Sequence, residues 1–456
     1  MPEDYPLVAR DVPKVDTPNR RIVTPIPVPD SIPVLERLRA IEPVAMQGQP
    51  AVLWDRAEGI HVYDRWDNKW LDWSSGVVVT NAGHAHPAIR NAMRKQIEHG
   101  LLHNYCFPSE VRARLVEALA NVAPDGLKKV FLLTTGSEST ECAIKLMRTH
   151  GLHVGGDQKI SIVTFHNGFH GRTMGAQMAG GSDAQKSWIV NLDPAIVQVP
   201  FPDDFRQADT RFEVFLESLD AQGVKPSQVA GVMLETFQGG SAKLAPTQYI
   251  RKLRRWCDEH DVVMTFDEVQ AAFGRTGRFW GFEHYDIVPD LICCGKGISS
   301  GMPISAVIGK PDLLDQYPPG SMTSTHTGNP VCSVSALENL RIIQEENLVE
   351  RARAMGDLLS SALDGLKDRF APHIGAAAAV GMVGALQMVR ADVSPCEPDH
   401  ERATEIVRHC VEKGLLMFAP VGVGGGTVKI APPLITPEDA IQEGLQVLGE
   451  AIEQVV

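Results

Sequence analysis

The sequence predicts an α/β protein in which a covered sheet carries its chemistry at the strand ends. Three observations point there. Short apolar runs flanked by turn residues and charges recur, among them 262–266 and 291–294, and such runs are strands covered on both faces. Between the runs lie segments of helical spacing, such as 247–259, where Tyr249, Ile250, Leu253 and Trp256 share one face. Two runs also stop on chemistry, one on Asp267 and the other on Gly295-Lys296-Gly297. Open α/β sheets bind ligands in the crevice at strand ends, so this acid and lysine are placed to share a site.

At 456 residues the chain is long enough for two core-bearing domains, and a 44% hydrophobic fraction is ordinary for a globular protein. Lys plus Arg number 43 against 56 for Asp plus Glu, a net charge of −13 that argues against a general nucleic-acid or anionic-membrane binder. The 8 cysteines include no Cys-x-x-Cys pair, and several sit in apolar runs. That scatter suits a reducing compartment better than a disulfide framework. With no basic-then-apolar leader and no run of membrane-spanning length, the expected location is cytoplasmic.

Residues 1–33 carry prolines at 13, 18, 25, 27, 29 and 33 and read as an extended arm, disordered or laid across a partner surface. Segments 51–54, 60–63 and 70–73, separated by turns at Glu58-Gly59 and Asp67-Asn68, read as a small antiparallel meander. His84 and His86 lack a third ligand at metal spacing, so a loop before a helix is expected. Helical spacing covers 87–99 and 109–121. Strand 130–133 runs through Thr134-Thr135 into Gly136-Ser137 and a helix with Cys142, Ala143, Leu146 and Met147 inward. A Gly-Ser turn at a helix N-terminus offers unpaired N–H groups and the positive dipole end to a phosphate, although a plain capped start has the same form.

Strand 160–165 leads to a loop with His166, Phe169, His170 and Arg172. The two histidines are four apart, but Gly168 between them speaks against a metal-binding helix. Residues 181–228 read as helix and loop. Strand 229–234 ends at Glu235, and 304–308 is the last strand of the core. One long helix is expected over about 331–356, then alternating helices and strands, the latter within 380–388 and 428–434. The glycines of 422–426 precede no helix pattern and form a loop.

Pyridoxal phosphate chemistry requires the lysine–acid pair. The lysine forms a Schiff base with the aldehyde, and the carboxylate keeps the ring nitrogen protonated so that the ring can act as an electron sink. Here the residues resemble a known family. Asp267-Glu268-Val269-Gln270, Phe273-Gly274-Arg275-Thr276-Gly277, Gly295-Lys296-Gly297 with Gly301-Met302-Pro303, and the loop 321–330 are similar to the signature of class III pyridoxal-phosphate aminotransferases. The similarity is greatest to the 4-aminobutyrate (ω-amino acid) type. It implies fold type I, the aspartate-aminotransferase-like fold, with a mixed seven-stranded sheet in a large domain and a small α/β domain built from both chain ends. The expected boundaries are an arm at 1–33, small-domain parts at 34–79 and 341–456, and a large domain at 80–340.

The same resemblance implies the residue roles. Lys296 and Asp267 are catalytic; Gly136 and Ser137 cradle the phosphate; Phe169 lies on one face of the ring and Val269 on the other; Gln270 meets the ring hydroxyl. Ser324 and Thr325 belong to a loop whose threonine reaches the phosphate in the neighbouring subunit, which implies a homodimer or tetramer with shared sites. Arg172 grips a substrate carboxylate as a bidentate fork. Val77 packs on the substrate's apolar tail, and Glu235 and Lys429 stand on the substrate side. The implied reaction moves an amino group from a small ω-amino acid or amine to pyruvate or 2-oxoglutarate. A decarboxylase of the 2,2-dialkylglycine type, a racemase or aminomutase, and a non-catalytic ligand-binding protein are the alternatives. Val77 in place of a glutamine speaks against the first, and Lys296 together with Asp267 against the last.

The chain also departs from the family pattern. Thr236 stands for a proline, Ala272 for a glycine, Gly239-Gly240-Ser241 lacks a glutamate, and Lys429 stands for an arginine. The last two changes remove a switch between carboxylates, so looser acceptor recognition is expected, with pyruvate competing well.

Overall fold

The computed structural model describes residues Tyr5–Val456, so the first four residues of the expected arm lie outside it. The described residues form two compact units, residues 87–350 and residues 5–86 with 351–456.

The first unit is built on a seven-stranded mixed sheet. Its strands lie in the order Lys129–Leu133, Ser305–Gly309, Leu291–Cys294, Val263–Asp267, Val229–Glu235, Ser161–Phe165 and Ile196–Val199. Ser305–Gly309 runs antiparallel to both neighbours and the remaining pairs are parallel. The central strands are buried at every position, which is why they read as unbroken apolar runs rather than alternating ones. Helix Gly136–Gly155 lays Cys142, Ala143, Leu146 and Met147 on Ile162, Met233, Val263 and Cys293. Elsewhere in the unit Trp256 and Tyr249 of helix Thr247–Glu259 join Phe165, Phe212 and Phe215 in an aromatic cluster.

Two expectations change here. Ile196–Val199 is a strand inside the stretch read as helix and loop. Four residues between Pro194 and Pro200 on a sheet edge are too short to leave a periodic signal. The long helix is also two, Pro330–Glu345 and Leu348–Arg369. Asn347 between them has φ +51°, the left-handed conformation that ends helices and that asparagine tolerates.

The second unit joins the two chain ends. Its six-stranded sheet contains Val15–Asp16, Arg21–Ile22, Lys69–Asp72, His61–Tyr63 and Arg56–Glu58, with Leu415–Leu416 pairing parallel to Lys69–Asp72. A three-stranded sheet holds Ile374–Val380, Val383–Met388 and Thr427–Ile430. The described part of the arm is therefore ordered against its own chain. It pairs into the sheet, buries Tyr5, Ile22, Ile26 and Val28, and ties Arg20 to Glu443 at 2.6 Å. The first meander strand falls at Arg56–Glu58 rather than 51–54. No helix among the described residues is long and apolar enough to cross a membrane, and all 8 cysteines are free.

Candidate active site

The parallel strands deliver their chemistry at one edge. Asp267, the last residue of its strand, lies in register with Glu235 on one side and Cys293 on the other. Two residues past Cys294 the chain turns through Lys296 with φ +40°, a backbone strain of the kind concentrated at functional sites. Lys296 is partly exposed. Desolvation lowers its pKa, against the opposing pull of Asp267 and Glu235, so the neutral amine is favoured relative to an ordinary lysine.

Asp267 is buried and fully engaged. One carboxylate oxygen accepts from the Val269 amide at 3.0 Å, and the other lies 2.9 Å from Nδ1 of His170. Burial opposes charge on His170, but the hydrogen bond and charge of Asp267, with Glu235 behind, outweigh it and raise its pKa. Nε2 of His170 is buried with no partner among the described residues. Glu235 is also buried and spends its oxygens on the amides of Phe169 at 2.8 Å and Gly239 at 3.0 Å. Burial pushes its carboxyl pKa up despite His170 nearby.

His170 is the residue that sequence reading missed. Its only signal was a position between Phe169 and Arg172, and no periodicity separates a buried partner of Asp267 from a loop histidine.

The other residues gather by close approach. A Cβ on Gly136 would stand 2.8 Å from Val269, and one on Gly171 would stand 2.2 Å from the Ser137 hydroxyl, so neither position has room for a side chain. Ser137 Oγ accepts from the Arg172 amide at 3.2 Å. Thr135 and Glu138 cap the start of the helix reciprocally. The Thr140 hydroxyl donates to the His170 carbonyl, and Glu141 accepts from Thr173, Gly175 and Ala176. These bonds fasten the Phe169–Arg172 loop to the helix. The Arg172 guanidinium sits 5.4 Å from the centre of the exposed Phe169 ring. Gln270 shares the corner of Glu235: a Cβ on Gly239 would approach Gln270 to 2.9 Å and Glu235 to 3.2 Å.

Thr325 is exposed and Ser324 partly exposed on the loop 321–329, which is pinned by the Thr327 hydroxyl on the Leu132 carbonyl. Neither joins the cluster around Asp267. Thr236, at the proline position, is buried and donates its hydroxyl to Glu268, so the substitution supplies a partner to a buried acid. Lys429 and Val77 belong to the second unit. Lys429 is buried on strand Thr427–Ile430, across from Ala385. Val77 is 46% exposed on a turn where Ser75, Gly76, Val77 and Val78 have φ of +48°, +56°, +66° and +63°. Left-handed backbone costs an L residue roughly 1–2 kcal/mol, and for a β-branched valine it is a marked outlier. Among the described residues no group of three His, Cys, Asp or Glu is placed to hold a metal.

The residues fit pyridoxal phosphate. The helix start at Gly136-Ser137 offers N–H groups that a helix itself leaves without partners, and a side chain at Gly136 would collide with Val269. A lysine with a disfavoured charge lies within the field of a buried carboxylate, itself held by a histidine. Fold and site together define an enzyme that uses this cofactor.

The comparisons take the assignment further. The family described as aminotransferase class-III matches residues 44–452, and the chain belongs to that family. It is 31% identical over 408 residues to the probable 4-aminobutyrate aminotransferase of Bacillus subtilis, covering 86% of this chain and 91% of that protein. It is 32% identical over 401 residues to the acetylornithine aminotransferase of Caldanaerobacter subterraneus, covering 88% and 94%. Among solved structures, a Bacillus anthracis aminotransferase superposes with a TM-score of 0.83 at 25% identity, covering 93% of this chain and 99% of that one. The protein is a pyridoxal-phosphate-dependent aminotransferase of fold type I.

Proposed function

We propose that this enzyme moves the amino group of a small ω-amino acid or amine to a 2-oxo acid, either pyruvate or 2-oxoglutarate. It does so in the cytoplasm as a homodimer or tetramer with shared sites. The observation that carries the reading is the buried Asp267–His170 pair beside a lysine whose charge is disfavoured. When bound, the cofactor supplies an electron sink for the carbon that loses its proton. Lys296 would hold the cofactor at rest, and its Nζ, once freed by the incoming donor amine, would take the proton from the donor's amine-bearing carbon and deliver it to the cofactor. Asp267, oriented by His170, keeps the ring nitrogen protonated. Gln270 meets the ring hydroxyl, Phe169 and Val269 hold the two ring faces, and Gly136 and Ser137 bind the phosphate.

Arg172 grips the donor's carboxylate, and Val77 packs on the carbon chain between carboxylate and amine. Glu235 supports this side by holding the Phe169 amide. The donor class draws support from the Bacillus subtilis relative, named for an acid with its amine at the chain end. Lys429, a point charge rather than a fork, attracts an acceptor carboxylate without clamping it in plane.

The test is a screen of ω-amino acids, amines and α-amino acids against both acceptors. Turnover of ω-amino acids with pyruvate within roughly tenfold of 2-oxoglutarate, about 1.4 kcal/mol, is the expected result. A wild type that serves α-amino acids alone refutes the donor class. A hundredfold preference for 2-oxoglutarate, about 3 kcal/mol, refutes the loose acceptor site.

A further inference from the structure

The carbonyls of Gly297, Ile298 and Ser299 directly follow Lys296, and side chains of one helix take all three. The Asn339 amide donates to the Gly297 carbonyl at 2.8 Å and to the Ile298 carbonyl at 3.0 Å, and the Ser335 hydroxyl donates to the Ser299 carbonyl at 2.8 Å. Ser335 and Asn339 lie four apart on helix Pro330–Glu345, so they share a face, and both are fully buried. The start of that helix is itself fixed, since the Asn329 side chain accepts from the Val331 and Cys332 amides. The turn they hold is strained, with φ +40° at Lys296 and +54° at Ser300. Backbone of this kind persists only where the surroundings over-determine it. Ser299 also closes the turn on itself: its hydroxyl accepts from the Met302 amide at 3.0 Å and donates to the Met302 carbonyl.

On its other side the turn meets the helix start at Gly136-Ser137. A Cβ on Gly295 would stand 3.6 Å from both the Cα and the amide nitrogen of Gly136, and 3.5 Å from the Ser305 Cβ. The Ser305 hydroxyl in turn donates to the Thr135 carbonyl at 2.7 Å. The lysine turn is thus set between the helix start that suits a phosphate and the helix that carries Asn339. Pyridoxal phosphate bears its aldehyde and its phosphate on one rigid ring, so the amine and the helix start have to match a spacing that the ligand cannot adjust. Asparagine is a weak helix former, and the Oδ1 of Asn339 is buried with no partner among the described residues. A buried amide with one end unpaired is a costly way to gain stability alone. Fixing the spacing of amine and phosphate site is a use that explains it.

We propose that Asn339, aided by Ser335, is a positioning residue that holds the Lys296 turn against the Gly136-Ser137 helix start, so that one cofactor molecule reaches the amine and the phosphate site together. The inference rests on the reading above, in which Lys296 carries the cofactor and Gly136 and Ser137 bind its phosphate. Neither Asn339 nor Ser335 needs to touch the cofactor; each acts through the backbone of the lysine turn.

The test measures how fast the cofactor-free enzyme captures two aldehydes, pyridoxal phosphate and pyridoxal, which lacks the phosphate. Borohydride traps the captured aldehyde and peptide mapping locates it. Wild type should capture the phosphate ester roughly a hundredfold faster at Lys296, because both ends are held at once. Asn339→Leu keeps the volume and removes the donors, and should cut that ratio by about tenfold or more; Ser335→Ala removes one donor and should cut it about threefold. Ser333→Ala is the control. Ser333 is fully buried on the same helix and its hydroxyl has no partner among the described residues, so the ratio should stay within about twofold of wild type. A merely structural role would lower Tm and slow both aldehydes alike, leaving the ratio where it was. An unchanged ratio in Asn339→Leu overturns the proposal, and Ser335→Ala decides alone if Asn339→Leu does not fold. An equal fall in Ser333→Ala overturns it too. Equal capture of both aldehydes by wild type refutes the phosphate site, and a label on another lysine refutes the role of Lys296; the positioning claim falls with either.

Discussion

A lysine and an aspartate can lie at neighbouring strand ends without doing chemistry, so the decisive features are what surrounds each. Lys296 is desolvated, which favours the amine that can attack and later move a proton. Lys296→Ala should therefore bind cofactor only non-covalently and lose essentially all turnover. Borohydride reduction of wild type followed by peptide mapping should label Lys296, and a label on another lysine would remove the assignment. Asp267 lies beside a histidine whose proton it stabilises. Asp267→Asn keeps shape and removes that charge, so the rate should fall on the order of 10³-fold, about 4 kcal/mol of barrier. Near-normal kcat in this variant would contradict the role.

At the scale of elements, the strand ending at Asp267 does a second job through the next residue. Glu268 is fully buried and accepts from the Thr236 hydroxyl, the Gly281 amide at 2.8 Å and the Phe282 amide at 2.9 Å. It thereby anchors the short helical turn Gly281–Tyr285, whose Phe282 and Tyr285 stack on Phe266. Burial pushes the Glu268 carboxyl up to about 7, against these hydrogen bonds. The folded chain then holds this proton more tightly than the unfolded chain. Its stabilising contribution is complete below the ordinary carboxyl range and is lost as pH rises through about 7. Between pH 5 and 8 that is a loss of up to roughly 3 kcal/mol at 1.36 per pKa unit. Glu268→Gln should start less stable, since its amide faces a backbone donor, and should lose less than half as much stability over the same interval. Urea titrations at both pH values measure this, and parallel pH dependences would rule out Glu268 as the source.

For the whole molecule, the proposal that sites are shared across subunits predicts complementation. Thr325 is exposed on its own chain, as a residue offered to a neighbouring subunit must be. Thr325→Asp would set a negative charge against that phosphate, and Lys296→Ala removes the reactive amine. Each homodimer should be inactive. Co-expressed, the two chains form heterodimers in which one site has both residues intact, so activity should return to about a quarter of wild type under random pairing. A fully active monomer in sedimentation would end the idea.

How much was legible beforehand differs by kind of residue. Six of the seven strands of the main sheet were readable as continuous apolar runs, five of them because they are buried at every position, and a run needs no knowledge of its neighbours. Asp267, Lys296 and Gly136 stood out because they end such runs within recognisable motifs. The edge strand Ile196–Val199 was not readable, since a short, half-exposed edge has no pattern of its own. Nor was the break at Asn347, one residue's change of φ inside an apolar helical pattern. His170 and the Asp72–His84 pair were invisible for a deeper reason. A local sequence determines which residues a loop contains. Only tertiary packing decides that a loop histidine 97 positions from Asp267 is buried against it, or that His84, 12 positions from Asp72, lies 2.7 Å from its buried carboxylate.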